Sequence, residues 1–148
     1  MTAFSNYLES GILQHFFLGS DFPKPDHIAV ALCSGVDEGN LLEIASGDGT
    51  NISGYTRMSL GDPAVSGNAQ WNYSQDDFNA GSGVIKNENV ILFPTALQDW
   101  GPVSGVAIMD SPVYGQGNIL MIQTIGPRDV FEGETIQFQQ YDLEIQVD

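Results

Sequence analysis

The chain has 148 residues, 42% hydrophobic and 16% charged, which indicates a globular protein long enough for one core. Nineteen acidic residues against four basic ones give a net charge of −15. The cations are far apart in sequence: Lys24, Arg57, Lys86 and Arg128. Nucleic acid and anionic membrane surfaces are therefore excluded as expected partners, because both need clustered Lys and Arg. Cys33 is the only cysteine in the sequence, so we expect a small buried apolar residue and neither an intrachain disulfide nor a zinc cluster.

Residues 4–18 are predicted to form an amphipathic helix. Apolar residues recur at every fourth position: Phe4, Leu8, Ile12 and Phe16. That spacing is typical of one helix face. Ser5 or Asn6 is suited to cap the N-terminus, and Gly19, followed by two prolines, ends the helix. His15 is interpreted as a helix-face residue packed beside Phe16. We expect the helix to pack on the rest of the protein or on a neighbouring subunit.

After the helix the hydrophobic period changes from 3.6 to 2, which indicates strands and turns. Residues 27–34 are apolar on both faces, which predicts a central strand with the helix covering one of them. Residues 54–60 are the next strand candidate. Five more follow between turn signals, at residues 89–93, 103–110, 118–125, 134–139 and 141–147. The pattern predicts a mainly β protein: an antiparallel β-sandwich, jelly-roll or Ig-like, with one N-terminal α-helix and a single domain over residues 1–148.

Residues 62–88 are predicted to be a polar loop segment with no more than one short strand. The segment carries three aromatic residues, Trp71, Tyr73 and Phe78. One interpretation is that they contact a protein partner or a glycan, because exposed aromatic rings suit both. The other is that Trp71 and Tyr73, two positions apart, place one face of a short strand on the core.

No catalytic constellation is evident in the sequence. The G-x-S-x-G, H-E-x-x-H, Walker and dinucleotide-binding motifs are absent, and neither His15 nor His27 accompanies a nucleophile. The adjacent acids Asp37–Glu38 and Asp76–Asp77 are interpreted as solvated turn residues. Residues 46–51 resemble a calcium loop only in composition, which leaves opportunistic Ca²⁺ binding open. We therefore predict no enzyme activity, no cofactor and no metal site.

Trp100 stands directly before Gly101, Pro102 and an alternating strand. An indole at this place is either a ligand platform on a loop or a plug at one end of a β core. Gly105 in the strand permits close approach of another element. The rigid turn after the indole favours the second alternative, in which Trp100 is a structural anchor that caps the core.

Six segments occur in a fixed order: "TAFSNYLESGILQHFF", "KPDHIAVALCSG", "GYTR", "NVILFPTALQDWGPVSGVAIMD", "GNILMIQTI" and "FEGETIQFQQYDLEI". Together they resemble a widespread family of small bacteriophage virion proteins commonly labelled phage tail fibre proteins. Members typically have an S-N-Y-L-E helix, a G-Y-x-R element, an F-P-x-A…W-G segment and a late G-D-T hairpin, here G-E-T. This chain departs from the pattern before its G-Y-x-R element, where the usual glycine run is reduced to "ISGYTR", and in a longer middle segment.

The resemblance implies a non-enzymatic structural protein of the virion, assembled in the host cytoplasm, whose partners are its own copies and other capsid or tail proteins. A fibre shaft requires repeats or heptads, and none is present. The chain is therefore expected to be a small multi-copy module of the tail apparatus. A capsid decoration (cement) protein and a carbohydrate-binding module for host glycans remain alternatives. We expect a homo-oligomer, with a trimer favoured, because closed symmetry covers exposed strand edges.

Overall fold

A computed structural model describes residues 2–45, 52–63, 65, 71–73 and 83–147. Within these ranges the chain is mainly β, with one helix and antiparallel strands. The elements in chain order are β1 (Thr2–Phe4), α1 (Asn6–Leu18), β2 (Ile28–Cys33), β3 (Met58–Gly61), β4 (Trp71–Tyr73), β5 (Gly83–Asn87), β6 (Ile91–Leu92), β7 (Gly101–Met109), β8 (Ile119–Val130), β9 (Gln137–Phe138) and β10 (Glu144–Val147).

The predicted helix is present, and its two ends follow the expected chemistry. Ser5 is the N-cap, where its hydroxyl oxygen accepts a hydrogen bond from the Leu8 N–H at 3.1 Å. Gly19 ends the helix in the left-handed conformation, with φ +69°. The periodicity predicted that Phe4 belongs to the helix, and this is wrong. Phe4 belongs to β1, where it pairs with Met121 of β8. The reason is that the N-cap residue is extended, so the chain before it continues as a strand.

The strands form three sheets. The largest has five strands in the order β1-β8-β7-β2-β3, and the others have the orders β10-β5-β4 and β6-β9. Side chains from all three sheets share one buried cluster, including Val30 of β2, Val106 of β7, Phe138 of β9 and Ile145 of β10. The five-stranded sheet thus buries one face against the two smaller sheets.

The opposite face of the five-stranded sheet holds a second, smaller cluster. The prediction that α1 covers this face of β2 is wrong, because the helix contacts mainly β8 and β1. Ala3 and Leu41 pack there instead, over small side chains such as Ala31 and Cys33. Gly105 of β7 helps this close packing, since a Cβ on it would lie 2.9 Å from the Gly35 carbonyl oxygen.

All five strands expected in the second half of the chain are present, with one extension. Residues 126–130 were expected to form a turn but continue β8 to Val130. Pro127 is tolerated because the β7–β8 register shifts between the pairs Val103–Arg128 and Gly105–Thr124, and a residue in that shift loses no ladder hydrogen bond. In the middle segment, residues 62–88 contain both β4 and β5 instead of the single short strand expected.

Candidate functional site

The C-terminal half of α1 is a strongly exposed apolar surface. Phe16, Phe17 and Leu18 are 74%, 78% and 76% exposed, the highest values for large apolar side chains in the described ranges, and Leu13 is 58% exposed. We call these four residues the helix knob. Phe16 was expected on the inner stripe, so this part of the prediction is wrong. The reason is that the protein covers only the first part of the helix.

The base of the helix is fixed by the segment that follows it. Leu8 packs against the large core cluster. The Phe22 ring lies against Gly11, where a Cβ would come within 2.3 Å of it, and its centroid is 5.4 Å from that of Tyr7. A larger residue than glycine at position 11 would displace this ring. The knob is therefore held away from the core by a helix that is well anchored at its other end.

Residues 10–20, which include the helix knob, contain no Asp, Glu, Lys or Arg. His15 lies beside Phe16, with ring centroids 5.4 Å apart, and its Nδ1 is 3.0 Å from the Ser20 carbonyl oxygen. It belongs to no metal-ligand cluster in the described part of the chain. In a protein of net charge −15, the knob is thus an uncharged surface.

Beside the helix base lies an open cavity of about 560 Å³ between the sheets and the N-terminal segment. Its lining comes from several elements and is almost entirely apolar: Phe4, Leu8, Ile28, Trp71, Ile85 and Met121. Among the lining residues that the structure describes, Lys24 is the one that carries a charge. We call this space the apolar cavity.

The three aromatic residues predicted to contact a partner or a glycan differ in their placement. Trp71 is half-buried, packs against the core cluster and lines the apolar cavity. Tyr73 belongs to β4, but its side chain lies outside the described structure, as does Phe78 entirely. The structure therefore assigns a surrounding to Trp71 alone of the three.

Trp100 is buried, with 8% of its surface exposed. Its indole Nε1–H donates a hydrogen bond of 2.8 Å to the Ser53 carbonyl oxygen, and its ring meets that of Tyr55 edge-on at 5.6 Å between centroids. Gly101, which follows, has φ +76°, a value that glycine adopts without strain. Trp100 thus joins β7 to the segment that precedes β3.

The "GYTR" motif contributes a buried polar network. Arg57 and Glu43 form a bidentate ion pair, with Nε–Oε1 and Nη2–Oε2 distances of 2.8 Å and side chains 0% and 4% exposed. The Arg57 Nη1 also donates to the carbonyl oxygens of Ser111 and Gln116, both at 2.8 Å. One guanidinium therefore holds both ends of the segment that joins β7 to β8.

Tyr55 completes this network. Its hydroxyl donates to Glu43 Oε1 at 2.7 Å and accepts from the Leu32 N–H at 3.0 Å. Burial, followed by the negative charge of Glu43, raises the pKa of the Tyr55 hydroxyl above its usual range. The phenol consequently stays neutral and keeps its donor. The motif thus fixes the connection between β7 and β8, which is a structural role.

Other titratable residues singled out in the sequence show no convergent chemistry. Asp37 accepts hydrogen bonds from the Gly39 and Asn40 backbone N–H groups within a turn, and bonding to Asn40 lowers the pKa of its carboxyl. Burial, followed by Glu43, raises the pKa of the Cys33 thiol to about 12. Residues 46–51 and the pair Asp76–Asp77 lie outside the described residues. The absence of a metal and of a cofactor stays a prediction.

Sequence reasoning missed Glu43, the partner of Arg57. Glu43 lies in a stretch that resembles a plain loop, and no local spacing links it to a residue 14 positions later. A signal was available in the "GYTR" motif itself, because an arginine that becomes buried with its motif requires polar partners, and an acidic residue is one of them.

The helix of the described ranges falls short of the length and apolar character that crossing a bilayer requires.

Comparison with known proteins gives a family for this chain. No curated protein matches the sequence. A family model described as podophage GP4 fiber I protein gp80 matches residues 3–146, a range that includes the helix, the "GYTR" network and all or most of each strand in the described residues. The resemblance seen in the sequence is thereby confirmed. The chain belongs to this family of phage tail fibre proteins and is a non-enzymatic structural component of the virion.

Proposed function

We propose that this chain is a compact fibre module that assembles with copies of itself through the helix knob. The observation that carries the proposal is the exposure of Phe16, Phe17 and Leu18 at 74–78% on a helix that is anchored at its base. Contiguous exposed apolar surface of this kind is typical of protein–protein contacts. A closed ring is the expected form, with a trimer favoured.

Burial of apolar surface favours self-association. Burying the exposed part of one phenylalanine ring contributes about 1.5–3 kcal/mol. Phe16 and Phe17 together contribute about 3–6 kcal/mol for each copy, from which the cost of immobilising one partner is subtracted. The knob can be buried without desolvating a carboxylate, because residues 10–20 carry none.

The architecture proposed with this function is one β-sandwich domain, in which the five-stranded sheet packs on the two smaller sheets. The core cluster that side chains of all three sheets share supports it. Fibre-family membership supports a position in the tail apparatus, beside other tail or fibre proteins, over a capsid decoration role. Trp71 does not favour glycan binding, since its surroundings in the apolar cavity offer few hydrogen-bond partners to sugar hydroxyls.

The test is the solution mass of the purified chain at about 100 μM, a concentration that populates contacts with a micromolar dissociation constant, measured by light scattering after size exclusion. The wild type should have three times the 16.0 kDa chain mass, and the double variant Phe16→Ser/Phe17→Ser should be a monomer. Phe131→Ser removes an exposed ring outside the knob and serves as the matched control, with unchanged mass. A monomeric wild type, or an unchanged mass in the double variant, rejects the proposal.

A further inference from the structure

We infer that the helix knob of one copy is received by the apolar cavity of a second copy. The inference rests on the proposed function, namely that copies associate through the knob, and names the surface that the knob meets. It makes the contact heterologous, with two different surfaces of the same chain.

The knob cannot fill the cavity of its own copy. Leu8 lines the cavity, and Phe17 follows nine positions later in the same helix. At 3.6 residues per turn and 1.5 Å per residue, Phe17 lies on the opposite side of the helix and about 13 Å further along its axis. A helix knob that occupies the cavity must therefore come from a second molecule.

Size and chemistry match between the two surfaces. The cavity measures about 560 Å³, which is in the range that accommodates a drug-sized molecule and hence two aromatic rings. Its lining is almost wholly apolar, so the knob side chains leave no buried polar group unpaired there. Neither the knob nor the described part of the cavity lining includes an acidic residue, which allows these surfaces of two copies of charge −15 to meet without bringing their own carboxylates together.

Charge also favours the end of α1 as the group that enters. Arg57, Lys86 and Arg128 each form a salt bridge with a glutamate. Lys24, in the cavity lining, forms none with the residues that the structure describes. The knob sits at a helix C-terminus, where the backbone carbonyls carry partial negative charge, and Asp21 follows shortly after it. The Lys24 ammonium of one copy is suited to meet this end of the next.

A heterologous contact has a consequence for assembly. Each copy offers one knob and one cavity, so a pair still has one of each free. Such contacts close into a ring when the rotation between copies permits it, and otherwise extend as a filament. Both outcomes can give a fibre component its multiplicity without a shaft repeat in the sequence.

Complementation between two variants tests the inference. The knob variant, Phe16→Ser/Phe17→Ser, keeps the cavity. The cavity variant, Gly83→Trp, keeps the knob and places an indole at an exposed position of the lining. Each alone should be a monomer. An equimolar mixture should form a complex of two chains and no larger species, because the two remaining surfaces are both disabled.

Each result has a distinct meaning. If the cavity variant alone keeps the wild-type mass, the cavity is not the receptor, although self-association through the knob stands. If the knob variant keeps the wild-type mass, the proposed function itself is rejected. If both variants are monomers but their mixture does not pair, the contact is not heterologous and the inference is overturned.

One further variant guards against a folding defect, and a second tests the orientation of the contact. Pro63→Trp, also at an exposed position of the lining, replaces Gly83→Trp if circular dichroism shows that the latter is misfolded. Lys24→Glu reverses the charge in the lining and should weaken association about tenfold, the effect of ~1.4 kcal/mol. An unchanged dissociation constant for Lys24→Glu would contradict the orientation in which the helix end faces Lys24.

Discussion

The buried pair of Arg57 and Glu43 gives a quantitative test of how the family's G-Y-x-R element works. Arg57→Met retains the length of the side chain but removes a guanidinium that makes two bonds to Glu43 and two to backbone carbonyls, all at 2.8 Å. Glu43, 4% exposed, is then left buried with no cation beside it. Breaking a buried ion pair in this way costs about 3–5 kcal/mol. A domain of ordinary stability has ~5–15 kcal/mol in total, so the variant should lose a large share of its free energy of unfolding.

The measurement is urea unfolding followed by tryptophan fluorescence, in the Phe16→Ser/Phe17→Ser background so that association does not add to stability. With a slope of about 2 kcal/mol per M, the midpoint should fall by about 2 M. Arg128→Met is the matched control, because its pair with Glu134 spans 3.9 Å and is 52% and 41% exposed. An exposed pair of this kind contributes less than ~1 kcal/mol.

The double variant Glu43→Leu/Arg57→Met separates the pair from the individual groups. Removing both charges together leaves no unpaired ion, so the double variant should be more stable than Arg57→Met alone. A loss below ~1 kcal/mol in Arg57→Met, or costs that add up in the double variant, would refute the reasoning. In either case the ion pair would not be what holds the β7–β8 connection.

Three further predictions concern other buried positions. Trp100→Phe should lower the free energy of unfolding by about 1–2 kcal/mol, because it deletes the indole hydrogen bond. Trp100→Ala should lower it by about 3–5 kcal/mol. Both are measured by urea unfolding, and losses near zero would contradict an anchoring role. Gly105→Ala should lower the free energy of unfolding by about 1–3 kcal/mol, since the new Cβ would lie 2.9 Å from the Gly35 carbonyl oxygen. Gly126→Ala is the control and should be nearly neutral, because a Cβ there would meet nothing within 4 Å. The Cys33 thiol should react with a disulfide reagent at pH 8 far more slowly in the folded protein than in urea. Burial raises the pKa of this thiol from 9.0 to about 12, so the folded state retains the proton at pH values where the unfolded state loses it. The free energy of unfolding should therefore fall as the pH rises from 9 towards 12.

Local sequence signals predicted the parts of the fold that depend on local physics. The helix follows from an apolar period, a Ser5 cap and a Gly19 terminator, all of which are visible within about fifteen residues. The strands of the second half follow from alternation between turns. Phe4 was assigned wrongly because an aromatic residue before a cap fits either a helix stripe or a strand. Pairing with β8, a partner more than a hundred residues away, decides between them.

The exposure of the helix knob depends on tertiary structure that the pattern does not contain. Leu13 and Phe17 lie opposite the stripe of Leu8 and Ile12, so α1 is apolar on both sides. Periodicity identifies a helix face but cannot say which of two apolar faces the protein covers. Here Phe22 and β8 cover only the base of the helix, while Leu41 packs on the second face of the five-stranded sheet.

The exposed helix knob bears on how a fibre protein can lack the sequence repeats of a fibre shaft. A shaft needs repeats because each repeat covers the apolar face of the one before it. In this chain Leu41 packs on the second face of the five-stranded sheet, and the helix has an exposed apolar surface of its own. Under the proposed function, this surface is covered in the assembly. The helix knob can therefore supply between copies the contact that a repeat supplies within one chain.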